Sequence, residues 1–140
     1  DDIIISANRN LAEYNSLGFS VVQDSSDNYD GPLAGIQSAA PHCKNPWVLV
    51  IPCDMPTLPD DLVATLRQHS RDSSLVTVRC NDKLQLVFLM HNSLLTSISD
   101  FLASDQRTVM RWLDTVDTRV VDIDNENYFH NINTVEQLQI

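Results

Sequence analysis

Glycine is scarce in this sequence: Gly18, Gly31 and Gly35 are the only three in 140 residues, and no Gly/Ser tract, low-complexity stretch or internal repeat interrupts the chain. Hinged, multidomain layouts draw on such tracts, so one globular domain is expected, with 43% hydrophobic residues to build its core. Cysteine is equally sparse. Cys43, Cys53 and Cys80 are odd in number, widely spaced and form no C-x-x-C pair, which argues against a disulfide framework or a zinc knuckle and for a reducing cytoplasm. No run of about 18 apolar residues exists, so no spanning helix is expected. The opening Asp1-Asp2-Ile3-Ile4-Ile5 also lacks the basic flank and cleavage site of a secretory signal.

Positive charge is short as well. Of nine basic residues only Lys44 and Lys83 are lysines, and the formal net charge is −10. Nucleic acid and anionic membrane both demand clustered positive charge, so neither is expected as a partner. His42, His69, His91 and His130 show no H-x-x-H or H-x-x-x-H spacing and no G-x-S-x-G accompanies them, which sets zinc hydrolysis and triad chemistry aside. The acidity also constrains any phosphate chemistry. A triphosphate would be repelled unless a divalent cation and backbone amides neutralised it locally.

What is present reads as α/β. Ile3-Ile4-Ile5, Phe19-Ser20-Val21-Val22 and Trp47-Val48-Leu49-Val50-Ile51 are short β-branched runs separated by helical patterning, the signature of βαβ units on a mostly parallel, Rossmann-like sheet. The all-apolar 47–51 run predicts a central strand covered on both faces. Helices are expected over residues 10–17, closing at Gly18, over 32–40, opened by Pro32, and from Pro59 to about residue 69. Strands follow at 75–79 and 84–90 around an Asn81-Asp82 turn, then helical patterning at 93–103 and 107–116, and a strand at 119–123. Thr134 can cap a helix beginning at Val135. A sequence that opens on a strand and closes on a helix start is expected to be a piece of a longer chain.

Four constellations could carry chemistry. Pro52-Cys53-Asp54-Met55-Pro56 follows the 47–51 strand directly, and in open α/β sheets ligands bind beyond the carboxyl ends of strands. The flanking prolines fix the backbone around Asp54, and magnesium needs only one or two protein carboxylates when phosphates and water complete its shell. The plain alternative is an Asp capping the next turn. Asp24, Ser25, Ser26, Asp27, Asn28, Tyr29 and Asp30 lead into Gly31-Pro32-Leu33-Ala34-Gly35, whose small residues would let a nucleotide approach the first turn of a helix. The plain alternative there is a loop with Asp30 as N-cap. Asp24 itself could accept the N1–H and exocyclic amine of a guanine, a donor pair that adenine and cytosine lack.

Third, His130-Asn131-Ile132-Asn133-Thr134 places two Asn side chains on one face of an extended segment, where a carbonyl oxygen could complete a magnesium shell without adding charge. An Asn-rich turn before a Thr cap explains it equally well. Arg107 and Arg111, at i, i+4, would share a helix face and could grip a phosphate, or simply form an exposed pair facing solvent.

Taken in order, Ser6-Ala7-Asn8-Arg9, Gly31-Pro32-Leu33-Ala34-Gly35, Pro52-Cys53-Asp54-Met55-Pro56, Arg107-Thr108-Val109-Met110 and Asn131-Ile132-Asn133-Thr134 resemble the molybdenum-cofactor guanylyltransferase family over nearly the whole chain. The resemblance implies a three-layer Rossmann-like nucleotidyltransferase that transfers GMP from MgGTP to molybdopterin and releases pyrophosphate. By that resemblance, Asp54 is the catalytic magnesium ligand, with Asn133 as a second metal or substrate contact. Ser6, Asp24, Gly31, Pro32 and Leu33 form the GTP site together with Asp54. Asn131, Asn133, Arg107 and Arg111 face the molybdopterin. Protein partners implied are other molybdenum-cofactor biosynthesis proteins and target-enzyme chaperones.

The sequence departs from the family at Ser6, where Asn is frequent, and in containing no glycine-rich L-A-G-G…R-M-G…K loop. Residues 1–140 alone are therefore expected to be inactive or nearly so. Rival readings are a cytidylyltransferase acting on the same pterin, another small nucleotidyltransferase, a noncatalytic nucleotide-binding relative and a receiver-like module. The last needs an acidic pair after its first strand and a lysine after its last, but Asp1 and Asp2 precede the first strand and no lysine follows position 83.

Overall fold

The computed structural model describes residues 2–25, 31–125 and 127–138. Strands and helices alternate as β1 (Ile4–Ser6), α1 (Leu11–Ser16), β2 (Ser20–Val22), α2 (Pro32–Ala39), β3 (Trp47–Val50) and α3 (Leu62–Gln68). They continue as β4 (Leu75–Cys80), β5 (Lys83–His91), α4 (Leu95–Ala103), α5 (Val109–Leu113) and β6 (Thr118–Asp122). The class is the expected α/β. Strands β1 and β2 form a parallel pair; a four-stranded sheet has the order β3-β5-β4-β6, with β4 and β6 parallel and β5 antiparallel to β4. The strand pairing is thus partly parallel and partly mixed.

The chain divides into two compact units, Asp1–Val48 with His91–Val116, and Leu49–Met90 with Asp117–Ile140. In the first, α2 buries Leu33, Ala34, Gly35, Ile36 and Ala39, and α4 buries Ile98 and Phe101. Helices α2 and α4 are joined by Gln37 Nε2 donating to Ser99 Oγ at 2.7 Å. Trp112 of α5 is fully buried, and its indole N–H donates to Ser97 Oγ at 3.0 Å, so the large ring enters the core without an unsatisfied donor. Leu33, Ile98 and Trp112 are each wholly excluded from water, and burial of such a side chain contributes about 1.5–3 kcal/mol.

In the second unit the buried core of the sheet runs along β4, with Leu75, Val76, Thr77 and Val78 at 0% exposure. The Thr77 hydroxyl donates to the Val87 carbonyl at 3.2 Å, beside the point where the β4–β5 register shifts between Thr77 and Arg79. Asn81 and Asp82 both adopt left-handed φ, 49° and 60°, as a two-residue type I′ hairpin turn demands, and these residue types tolerate it.

Several expectations need correction. Strand β3 is half-buried along its length and ends the four-strand order, because an apolar β-branched run reports fitness for a pleated surface and not the number of neighbours. Pro59 opens a turn, accepting from Leu62 N–H at 3.1 Å, and α3 proper starts only at Leu62. The 107–116 helix contracts to Val109–Leu113, since Thr108 is extended, and residues after Thr134 form a 3-10 turn at Val135–Gln137. Asp30, the alternative N-cap for α2, lies outside the described residues, as do Ser26, Asp27, Asn28 and Tyr29. Among the described residues no helix is long and apolar enough to cross a membrane.

Across β4 and β6, Arg79 grips Asp122 with a two-pronged contact, Nε to Oδ1 at 2.6 Å and Nη2 to Oδ2 at 3.0 Å. That hydrogen bond holds the Asp122 carboxyl below its ordinary range, with the Arg79 charge adding to it, and the Arg79 guanidinium is correspondingly raised. A depressed carboxylate stabilises the fold above its unfolded pKa and loses that contribution as pH falls through the folded value. Both side chains are exposed, so the effect is small and screened by salt. Asp122→Asn is therefore expected to lower the melting temperature slightly in dilute neutral buffer. The difference from the parent should close on acidification past the carboxylate range or in molar salt, followed by circular dichroism.

Candidate active site

In the first unit the carboxyl ends of β1 and β2 finish level. Ser6 pairs with Val22, and Ala7 N–H extends the ladder to Val22 O at 3.0 Å. One residue beyond, side chains take over: Asn8 Nδ2 donates to Asp24 Oδ2 at 2.9 Å while Asp24 N–H donates to Asn8 Oδ1 at 2.9 Å. Helix α2 approaches this pair closely. A Cβ built on Gly35 would lie 2.6 Å from Ser6 Oγ and 3.5 Å from Asp24 Oδ1, so only glycine permits the approach.

Gly31 precedes α2 with φ 78° and ψ −169°, a conformation reserved for glycine, and Pro32 occupies the first turn, where its missing N–H costs nothing. Leu33 is a core residue at 0% exposure, so its side chain is unavailable to a ligand and only its backbone could take part. Ser6 is exposed and Asp24 half-buried. An open cleft of about 280 Å³ is lined by Ser6, Ala7, Asn8, Arg9, Asn10 and Tyr14.

The paired arginines need a correction. Helix α5 begins at Val109, so Arg107 does not share a helix face with Arg111. The Arg107 Nη1 donates to the carbonyls of Leu102 and Gln106, both at 3.0 Å, closing the chain at the end of α4, whereas Arg111 is exposed on α5. The spacing was right for a helix that stops short of Arg107.

In the second unit, the turn after β3 carries Asp54, half-buried, beside Met55, which is only 6% exposed and anchors the loop. Two backbone bonds tie this loop to the chain's later segment: Ile132 N–H to Asp54 O at 2.7 Å and Phe129 N–H to Thr57 O at 3.2 Å. Their residue numbers descend on one side as they rise on the other, so the two segments run antiparallel, and Asn131 and Asn133 flank the residue bonded to Asp54. Both asparagines are exposed and Ile132 is half-buried, the alternation expected of an extended segment. Asn133 N–H and Thr134 N–H both donate to Gln137 Oε1, at 2.8 and 3.3 Å, which fixes the exit of the segment. Phe129 enters it with φ 65°, a left-handed conformation costly for a bulky aromatic, and its ring is buried to 7% exposure.

Asp54 and the 131–133 segment are therefore assembled in one unit, Ser6 and Asp24 in the other. Among the described residues no three His, Cys, Asp or Glu side chains converge to hold a metal. A divalent ion at Asp54 would complete its shell with neutral oxygens, phosphates and water, which is how magnesium is ordinarily held. Burial raises the Cys43 thiol, and the Asp2 carboxylate raises it further, the opposite of what activates a cysteine. A second cavity of about 280 Å³, bounded by residues 68–73 and 117–119, sits at the amino ends of β4 and β6 and contains none of the candidate residues.

Sequence reading missed Asn8 as a partner of Asp24, although a signal existed. Each lies two residues beyond the last residue of its strand, in two strands that pair in parallel and in register. It also missed Phe129, which no pattern marks as left-handed.

An α/β framework with candidate residues on loops at strand carboxyl ends and a glycine-led helix is the layout in which open α/β sheets bind ligands, nucleotides among them. Residues 1–119 match the MobA-like NTP transferase domain. A relative in Yersinia pestis (strain Pestoides F), the molybdenum cofactor guanylyltransferase, is 34% identical over 135 residues, covering 95% of this chain and 69% of its own. Two solved structures share the fold. One is a protein from Aquifex aeolicus VF5, with TM-score 0.79 and 22% identity over 94% of this chain and 70% of that one. The other is molybdopterin-guanine dinucleotide biosynthesis protein A from Archaeoglobus fulgidus, with TM-score 0.75 and 18% identity over 97% of this chain and 74% of that one. The chain belongs to the MobA-like NTP transferase family and is an enzyme of the nucleotidyltransferase class.

Proposed function

We propose that the protein transfers GMP from GTP to molybdopterin, forming the guanine dinucleotide cofactor and releasing pyrophosphate. The observation that carries the reading is the backbone bond from Ile132 N–H to the Asp54 carbonyl, which lays the turn bearing a half-buried Asp54 alongside the segment of the exposed Asn131 and Asn133 at a strand's carboxyl end. Kinship with the Yersinia guanylyltransferase supplies the substrates. In the proposed reaction a terminal phosphate oxygen of the pterin bonds to the α-phosphorus of GTP as the bond to the β-phosphate breaks.

Magnesium, when bound, neutralises charge on the triphosphate and on the departing pyrophosphate. Asp54 would hold it, with Asn133 contributing a neutral oxygen. Ser6, Asp24, Pro32 and the backbone of Gly31 and Leu33 would seat the nucleotide, Asp24 accepting from the guanine edge. Asn131, Asn133 and Arg111 would meet the pterin; Arg107 is the weakest member of that set because its guanidinium already serves Leu102 and Gln106. Catalysis of this kind rests on positioning and charge neutralisation. The protein would act in the cytoplasm, handing its product to cofactor-biosynthesis and target-enzyme chaperone proteins. A polypeptide of residues 1–140 carries no glycine-rich phosphate loop and would turn over little.

The test is a binding panel of GTP, CTP and ATP on the native protein, with and without magnesium and with an Asp54→Asn control. GTP selectivity that needs both magnesium and Asp54 is expected. Preference for CTP would make the enzyme a pterin cytidylyltransferase, and nucleotide binding indifferent to magnesium and to Asp54 would overturn the metal assignment.

A further inference from the structure

We infer that Asn8 is a positioning residue that sets the plane of the Asp24 carboxylate and thereby governs discrimination between guanine and other bases. The inference rests on the reading of Asp24 as the guanine acceptor. The two bonds between these residues are reciprocal: Asn8 Oδ1 accepts from the Asp24 backbone N–H and Asn8 Nδ2 donates to Asp24 Oδ2, both at 2.9 Å. A backbone N–H must meet an oxygen and a carboxylate must meet a donor, so the amide can face only one way. Asparagine is suited to this because one planar group carries both the acceptor and the donor; aspartate lacks the donor and serine cannot span both.

Position makes the contact more than a local cap. Asn8 and Asp24 are sixteen residues apart and continue the β1–β2 ladder past its last backbone rung, Ala7 N–H to Val22 O. Without the clamp the Asp24 carboxylate would lose the bond that tethers Oδ2 and could turn about χ2. With it, Oδ2 is tethered and Oδ1 faces the Gly35 approach, so the carboxylate presents a fixed pair of acceptors. A donor pair on a planar base is read only by acceptors held in a plane. Both groups are half-buried, where a charge-assisted bond is stronger than in open solvent. The cleft lined by Ser6, Asn8, Arg9 and Tyr14 opens beside the clamp.

The experiment compares GTP with inosine triphosphate, which lacks the exocyclic amine, in steady-state assays of the native protein and of Asn8→Ala, Asn8→Asp and Asp24→Asn. Asn8→Ala is expected to raise KM for GTP by about tenfold or more, with a far smaller change in kcat and in KM for inosine triphosphate, so that the GTP preference collapses. Asn8→Asp, which keeps the acceptor for the backbone N–H and replaces the donor with a like charge, should lose the preference at least as fully. It also serves where the alanine variant folds poorly. If Asp24→Asn abolishes the preference and both Asn8 variants retain it, the positioning role is wrong and the guanine assignment stands. If Asp24→Asn also retains the preference, the guanine assignment itself fails. If the Asn8 variants lose kcat and KM alike for both nucleotides, Asn8 is merely structural.

Discussion

Replacement of Asp54 by alanine is expected to lower kcat/KM for nucleotidyl transfer by at least about a hundredfold, a loss of the order seen when one electrostatic stabiliser is removed from a reacting phosphate or acyl group. The fold should survive the change. The tie that holds the loop runs from Ile132 N–H to the backbone carbonyl of residue 54, at 2.7 Å, and does not involve the carboxylate. Met55, at 6% exposure, keeps its anchorage. Asp54→Asn keeps the shape and removes the charge, so it should fall in the same direction by a smaller factor, partly recovered at high magnesium. Pyrophosphate release assays beside thermal unfolding would separate the two effects. An alanine variant with near-parental turnover would remove Asp54 from the catalytic role.

Gly35→Ala is expected to act through two opposed terms. Alanine gains about 1 kcal/mol over glycine in a helix interior. Against this, the added methyl meets Ser6 Oγ at 2.6 Å, which forces Ser6 or α2 to move, and overpacking of that kind costs about 1–3 kcal/mol. The net change is a loss of up to about 2 kcal/mol, together with weaker nucleotide binding as Ser6 and Asp24 are displaced. Ser6→Ala removes the clashing oxygen and leaves its Cβ at an ordinary 3.6 Å, so in that background Gly35→Ala should become stabilising. Urea unfolding of the parent, both single variants and the double variant forms the cycle. Equal effects of Gly35→Ala in both backgrounds would mean that the helix does not approach Ser6 as described.

The α/β class and the position of nearly every element could be read from apolar periodicity, proline and glycine, because those patterns are local. The hairpin at Asn81-Asp82 was legible for the same reason. What could not be read were properties set by distant parts of the chain. The exposure of β3 depends on which strands flank it, the shortness of α5 on an extended Thr108, and the burial of Leu33 on how α2 faces its neighbours. Among the candidate residues, Asp54 and the 131–133 segment were found separately, as a proline-framed acid and an asparagine repeat. That they are hydrogen-bonded neighbours is a fact of tertiary structure that neither motif carries. Gly35 was marked as a small residue at a helix start, but its two facing side chains were not.

The ties from Asp54 to Ile132 and from Thr57 to Phe129 each close a loop longer than half the sequence. Contacts so remote cost chain entropy before they return anything, and they form late and slowly. On a ribosome, the strand and turn bearing Asp54 emerge long before the segment that holds them in shape. Until synthesis has passed residue 132, the turn bearing Asp54 lacks both of these ties, and under the proposed function it could not yet present Asp54 as the finished chain does. Competence for the proposed chemistry would arrive in one late step, when the trailing 131–133 segment is laid against the waiting turn.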